Sequence, residues 1–131
     1  MANIKKLEMA AALMARPDIE ISTSFFGLCT KAVYLPTRSP LIVKKNDYAP
    51  EAAARIQRLL DAPAGRVAAL ARDLKLEKMD IGNVRLDVCV SKDHQFAALQ
   101  MLRFGDYLYR PVGEPRFYEG DDAQAVASLV L

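Results

Sequence analysis

The hydrophobic and polar positions along the chain switch between helical and strand spacing several times. Residues 4–16 carry apolar side chains at helical spacing: Ile4, Leu7, Ala11 and Met14. Asn3 is a candidate N-cap for this helix, and Pro17 ends it. Residues 18–26 then alternate with a period of two, as a half-buried strand does. The pattern predicts an N-terminal helix followed by a strand.

A basic hairpin is predicted over residues 31–45. Its strands at 31–35 and 41–45 flank a loop that contains Pro36 and Pro40, which cannot lie inside a central strand. From residue 21 to residue 46 there is no acidic residue, and four cations give this segment a charge of +4: Lys31, Arg38, Lys44 and Lys45. The charge is therefore concentrated on one element.

The middle of the chain predicts two helices and then a strand. Pro50 fits a first helical position, a second helix opens near Pro63, and the two form an αα-hairpin. Residues 84–90 alternate without a fault, which predicts a strand. Residues 96–104 read as the next strand of a hairpin, with a helix between Asp93 and Gly105 as the alternative.

The C-terminal third predicts a meander and a last helix. Two short strands carry aromatic residues and are broken by Pro111 and Pro115, and a capping-box pattern starts a helix at Asp121. The fold class expected is α+β. A largely antiparallel sheet, made of the N-terminal strands and the C-terminal meander, is covered by the N-terminal helix, the αα-hairpin and the C-terminal helix. Residues 1–131 are expected to form one domain.

Composition narrows the class of protein. The chain has a mass of 14.5 kDa, 52% apolar and 26% charged residues, and a net charge of +2, which is typical of a soluble globular domain. It has no run near the ~20 apolar residues that span a bilayer, and its first residues are a poor signal-peptide layout. We therefore expect a cytoplasmic protein with two reduced cysteines and no membrane partner.

Candidate catalytic residues are few. The chain lacks the common phosphate-loop, dinucleotide, zinc and hydrolase signatures. Cys89 precedes the one histidine, His94, by five positions, so a turn between them would allow a thiol and an imidazole to meet. With Cys29 these residues make three soft ligands, whereas a structural zinc takes four. We expect no catalytic residue, metal or cofactor.

Two sets of residues are candidate binding surfaces. The first is a basic patch on the predicted hairpin, formed by Lys31, Tyr34, Arg38, Lys44 and Lys45, in which Tyr34 would supply a stacking ring. The second is an aromatic face formed by Tyr107, Tyr109 and Tyr118.

These surfaces favour a small non-enzymatic interaction module that binds a protein, and a homodimer is a plausible assembly. The alternative is a nucleic-acid-binding protein that uses the basic hairpin 31–45. A cysteine-dependent enzyme is the third hypothesis.

Overall fold

A computed structural model describes residues 4–24, 29–105 and 108–131, although the side chains of Ser24 and Cys29 lie outside the description. The helical elements are a 3-10 turn at Ile4–Lys6, α1 (Ala10–Met14), α2 (Ala52–Asp61), α3 (Val67–Ala71) and α4 (Gly120–Val130). The strands are β1 (Ile19–Ser24), β2 (Cys29–Tyr34), β3 (Ser39–Tyr48), β4 (Lys78–Met79), β5 (Val84–Ser91), β6 (Phe96–Gly105), β7 (Leu108–Pro111) and β8 (Arg116–Glu119).

Within the described ranges, the strands form one curled antiparallel sheet. Its order is β1-β2-β3-β5-β6-β7, while β4 pairs with β3 and β8 pairs with β6. The β7 and β8 strands lie end to end along β6, where β7 pairs with residues 102–105 and β8 with residues 96–99. The fold class is therefore α+β with a largely antiparallel sheet, as the sequence predicts.

The sheet has a hydrophobic core on each face. On the helix face, helices α2, α3 and α4 pack on the side chains of β5 and β6 that include Leu86, Val88 and Leu99. On the N-terminal face, the first residues of the chain pack with the β1–β2 hairpin on Cys89, Phe96 and Ala98. Strand β5 and residues 96–102 of β6 are largely buried on both sides because they lie between these two layers.

The N-terminal segment is not one continuous helix over residues 4–16. Asn3 lies outside the described residues, the 3-10 turn ends at Lys6, and α1 begins only at Ala10. Apolar side chains at four positions are each at most 4% exposed: Ile4, Leu7, Met9 and Leu13. A straight helix points these positions in different directions, whereas the broken segment brings all of them into the core. Packing therefore overrides the local helical pattern.

The boundaries of β6 and α4 lie closer to those predicted from the sequence. Residues 96–104 form a strand, so the helix alternative is excluded. Helix α4 begins at Gly120, and the side chain of its N-cap residue, Glu119, makes no capping hydrogen bond. Instead, Asp122 at the start of α4 accepts a hydrogen bond from the Gly65 N–H (2.8 Å), which ties the helix to the loop before α3. The short strand β4 was not predicted from the sequence.

Candidate functional site

Strands β2 and β3 form the predicted basic hairpin, but they stay paired only near its turn. Val33 pairs with Pro40 and Tyr34 pairs with Ser39, and the Arg38 N–H closes the turn onto the Leu35 carbonyl (3.2 Å). The prediction that Pro40 belongs to the loop was wrong: Pro40 lies inside β3, with β2 on one side and β5 on the other. Beyond these two pairs, β2 continues along β1 while β3 continues along β5. The two strands of the hairpin therefore diverge.

This divergence leaves one side of β3 without a neighbouring strand in the described parts of the chain. At its start β3 pairs with β2, and at its end Asp47 and Tyr48 pair with β4. Between these points, residues 41–46 pair with β5 alone. We call this stretch the open edge of β3.

The direction of the backbone groups along the open edge follows from antiparallel geometry. The Lys92 N–H donates to the Pro40 carbonyl (2.8 Å), so Pro40 directs its backbone toward β5. Successive residues of a strand direct their N–H and C=O groups to opposite sides. Residues 42, 44 and 46 therefore bond to β5. Leu41, Val43 and Lys45 direct their N–H and C=O groups away from β5. Because Pro40 has no N–H, its pairing with Val33 depends on a bond from the Leu41 N–H to β2, so the N–H groups that face the gap are those of Val43 and Lys45.

The cations of the basic patch border this gap. Lys31, Arg38 and Lys44 are exposed, and within the described ranges none of them has a carboxylate within ion-pair distance. Lys31 on β2 and Lys44 on β3 lie on the helix face, because they alternate with Tyr34 and Val43, which contact the opposite core. The gap therefore has a cation on each side.

Lys45 differs from the other three cations. Its side chain lies on the N-terminal face, where its ammonium donates to the Lys6 carbonyl (3.0 Å). Lys45 is also directly opposite Asp87 in the register of β3 and β5. Its charge therefore has a carboxylate on the neighbouring strand.

Tyr34 belongs to the core and is not part of the exposed patch. It is 7% exposed, and its ring stacks on the ring of Phe96 with the centroids 5.0 Å apart. Burial raises the pKa of its hydroxyl. The stacking face that the sequence led us to expect on the hairpin is therefore occupied within the protein.

The predicted tyrosine face is not formed by its described members, and Tyr107 lies outside the described residues. Tyr109 is opposite Phe104 on the N-terminal face, whereas Tyr118 is opposite Ala97 on the helix face. Tyr118 is 2% exposed and donates to the Leu59 carbonyl (3.2 Å), and burial raises its pKa well above the ordinary value.

Tyr109 has a structural role at the far end of the sheet. Its hydroxyl donates to the Gly82 carbonyl (2.5 Å), and the guanidinium of Arg85 lies 4.8 Å from the centre of its ring. Around this end, four large apolar side chains are exposed: Met79, Ile81, Phe104 and Leu108. Ile81 is the most exposed of them, at 85%. These exposed apolar side chains were not predicted, because they come from separate elements.

The arrangement of Cys89 and His94 does not favour nucleophilic chemistry. Cys89 is a free thiol that is fully buried in the N-terminal core, and burial raises its pKa to about 12. His94 lies in the β5–β6 turn with a φ of 61°, and its N–H donates to the Ser91 carbonyl (2.8 Å). A thiol with such a pKa carries almost no thiolate at neutral pH.

The described residues contain no cluster of three or more His, Cys, Asp or Glu side chains that could hold a metal ion. In the same ranges, no helix has the length and apolar character needed to cross a membrane. The open edge is therefore the most distinctive candidate site. Sequence reasoning found its cations but missed the gap, because strand pairing depends on contacts between distant residues.

Comparison of the chain with protein-family models, curated proteins and solved structures found no match.

Proposed function

We propose that this chain is a small non-enzymatic interaction module that binds an extended segment of a partner protein at the open edge of β3. The observation that carries this proposal is that, among the described residues, 41–46 pair with β5 alone. The outward-facing backbone groups of Val43 and Lys45 can pair with an added strand, as in other cases of strand addition to a sheet edge. Main-chain hydrogen bonds supply the affinity in this mode.

Exposed apolar side chains support a protein partner. Ile42 and Val43 on the open edge are half-buried, so an added strand would cover apolar area that the chain leaves accessible. Nucleic-acid binding receives less support, because the ring expected to stack on a base, Tyr34, is held against Phe96. Catalysis receives less support because the Cys89 thiol is buried.

Amide hydrogen exchange tests the free edge first. We expect the N–H groups of Val43 and Lys45 to exchange much faster than those of Ile42, Lys44 and Asn46, which bond to β5. Equal protection of both sets would show that the edge is already occupied and would remove the basis of the proposal.

Peptide binding tests the function itself. The probes are three extended peptide segments, each fused to a soluble carrier domain. Valine alternates with glutamate in the first segment, with glutamine in the second and with lysine in the third. At least one probe should slow exchange at Val43 and Lys45. Val43→Pro removes an outward N–H and should abolish this protection, whereas Val43→Thr keeps the N–H and should retain it. Failure of all three probes to protect these amides would refute the function.

A further inference from the structure

We infer that the segment bound at the open edge is acidic, with carboxylates beside Lys31 and Lys44 and aliphatic side chains beside Ile42 and Val43. This inference rests on the proposed function, because it concerns the partner of the same site. It starts from the uneven character of the edge. The half of β3 nearer the turn presents Ile42 and Val43, whereas the next two residues are Lys44 and Lys45.

The positive charges on the two sides of the gap determine the sign of the charge that the partner segment should carry. Lys31 projects from β2 and Lys44 from β3, both on the helix face, and neither has a carboxylate within ion-pair distance among the described residues. A strand lying in the gap places its helix-face side chains between these two cations. Opposite charges on neighbouring strands stabilise a sheet and like charges destabilise it. Carboxylates are therefore the favoured side chains at those positions.

A second copy of this chain is a poor occupant of the gap. If β3 of two copies paired antiparallel, Lys44 of each copy would lie against the same short edge on the helix face and bring two cations without a carboxylate partner together. Lysine residues on exposed edges are a recognised means by which proteins prevent such self-pairing. The same cations attract an acidic strand. They therefore favour an acidic partner and also disfavour a second copy of this chain.

The three carrier-fused probes separate this inference from the function on which it rests. Equilibrium binding should be about three- to tenfold tighter for the valine–glutamate probe than for the valine–glutamine probe, and weakest for the valine–lysine probe. Added salt should reduce the differences in affinity among the three probes. Equal affinity of all three probes, with the edge amides protected, would overturn the inference and leave the function intact. Absence of any edge protection would overturn both.

Charge reversal identifies the cations responsible. Lys31→Glu and Lys44→Glu should each reduce the preference for the glutamate probe, and the double variant should favour the lysine probe. Arg72→Glu changes the net charge of the protein by the same amount as Lys44→Glu, at an exposed residue just after α3. This control variant should keep the preference for the glutamate probe unchanged. A loss of preference in Arg72→Glu as large as in Lys44→Glu would show that net charge alone is responsible, and it would overturn the inference.

Two further measurements test the other occupants. A short oligothymidylate should bind more weakly than the glutamate probe, and tighter oligothymidylate binding that Lys44→Glu abolishes would overturn the inference. Sedimentation of the free protein should show a monomer, or an assembly that the Val43→Pro variant does not disrupt. A dimer that Val43→Pro dissociates is the contrary result. Such a dimer would mean that a second copy occupies the edge.

Discussion

The ring of Tyr34 stacks on the ring of Phe96 across the sheet, with the centroids 5.0 Å apart and the planes inclined by 26°. Tyr34 lies on β2 and Phe96 on β6, and β3 and β5 lie between these strands in the sheet order. In a flat sheet, strands three places apart are separated by about 14 Å. The contact therefore records how strongly the sheet curls around the N-terminal core.

Arg16 fastens the curled β1–β2 hairpin to the opposite end of the sheet. Its guanidinium bonds to Asp18 (2.6 Å) and Glu119 (3.1 Å) and lies over the rings of Phe96 and Phe117. Arg16→Met should lower the free energy of unfolding by about 1 to 3 kcal/mol, because hydrogen bonds to charged groups and cation–π contacts are both lost. Arg16→Lys should lower the free energy of unfolding by a smaller amount, because it keeps the positive charge. Urea unfolding measures both changes.

The Arg16–Asp18 contact also predicts a pH dependence. The hydrogen bond from Arg16 lowers the pKa of Asp18 below its ordinary 3.8. A lowered pKa in the folded state means that the contribution of Asp18 to stability is present above about pH 4 and is lost as the pH falls through the folded value. The stability difference between the protein and Arg16→Met should therefore shrink in acid. A difference independent of pH would show that the charge pair contributes nothing.

Asp87 predicts the opposite trend. Its carboxylate is fully buried, accepts a bond from the Glu8 N–H (3.2 Å) and pairs with Arg85 (3.2 Å), yet desolvation raises its pKa above 3.8. A raised pKa means that the energetic cost of the charge is absent below about pH 4 and grows as the pH rises through the folded value. Asp87→Asn keeps an acceptor for Glu8 and removes the charge.

We therefore expect Asp87→Asn to raise the unfolding temperature at neutral pH, with the gain disappearing as the pH falls toward 4. Thermal unfolding followed by circular dichroism at several pH values measures it. Asp87→Ala removes the acceptor as well, so it should destabilise the protein at every pH. A loss of stability in Asp87→Asn at neutral pH would show that the pair with Arg85 outweighs desolvation.

Gly82 illustrates a close approach that a side chain would prevent. A Cβ at this position would overlap the backbone of Tyr48, and the Gly82 carbonyl also accepts the bond from Tyr109. Gly82→Ala should cost about 1 to 3 kcal/mol, because the neighbouring backbone must shift. Gly113→Ala is the matched control, since a Cβ there meets no atom within 4 Å. Equal stability of the two variants by urea unfolding would contradict the packing seen around Gly82.

The parts of the fold that depend on local pattern were predictable, and the parts that depend on distant contacts were not. The fault-free alternation of residues 84–90 predicts β5, and Pro36 marks the turn between β2 and β3. The prediction that Pro40 also lies in this turn was wrong, because Pro40 lies inside β3 and needs no N–H toward either neighbouring strand at that position. By contrast, nothing local shows that β2 leaves β3 after two pairs, because strand pairing depends on contacts between residues that are distant in sequence. The cations of the candidate site were therefore found, while the edge that they border required the structure.

Cys89 gives a test of the buried N-terminal core. Because burial raises its pKa to about 12, the thiol should react with iodoacetamide at neutral pH far more slowly than a free thiol. Mass spectrometry of the peptide that contains Cys89 follows this site separately from Cys29. Reaction should become fast in denaturing urea, which shows that the fold and not the sequence protects the thiol. Rapid labelling in the native protein would contradict the buried position, and it would restore a cysteine-dependent activity as a hypothesis.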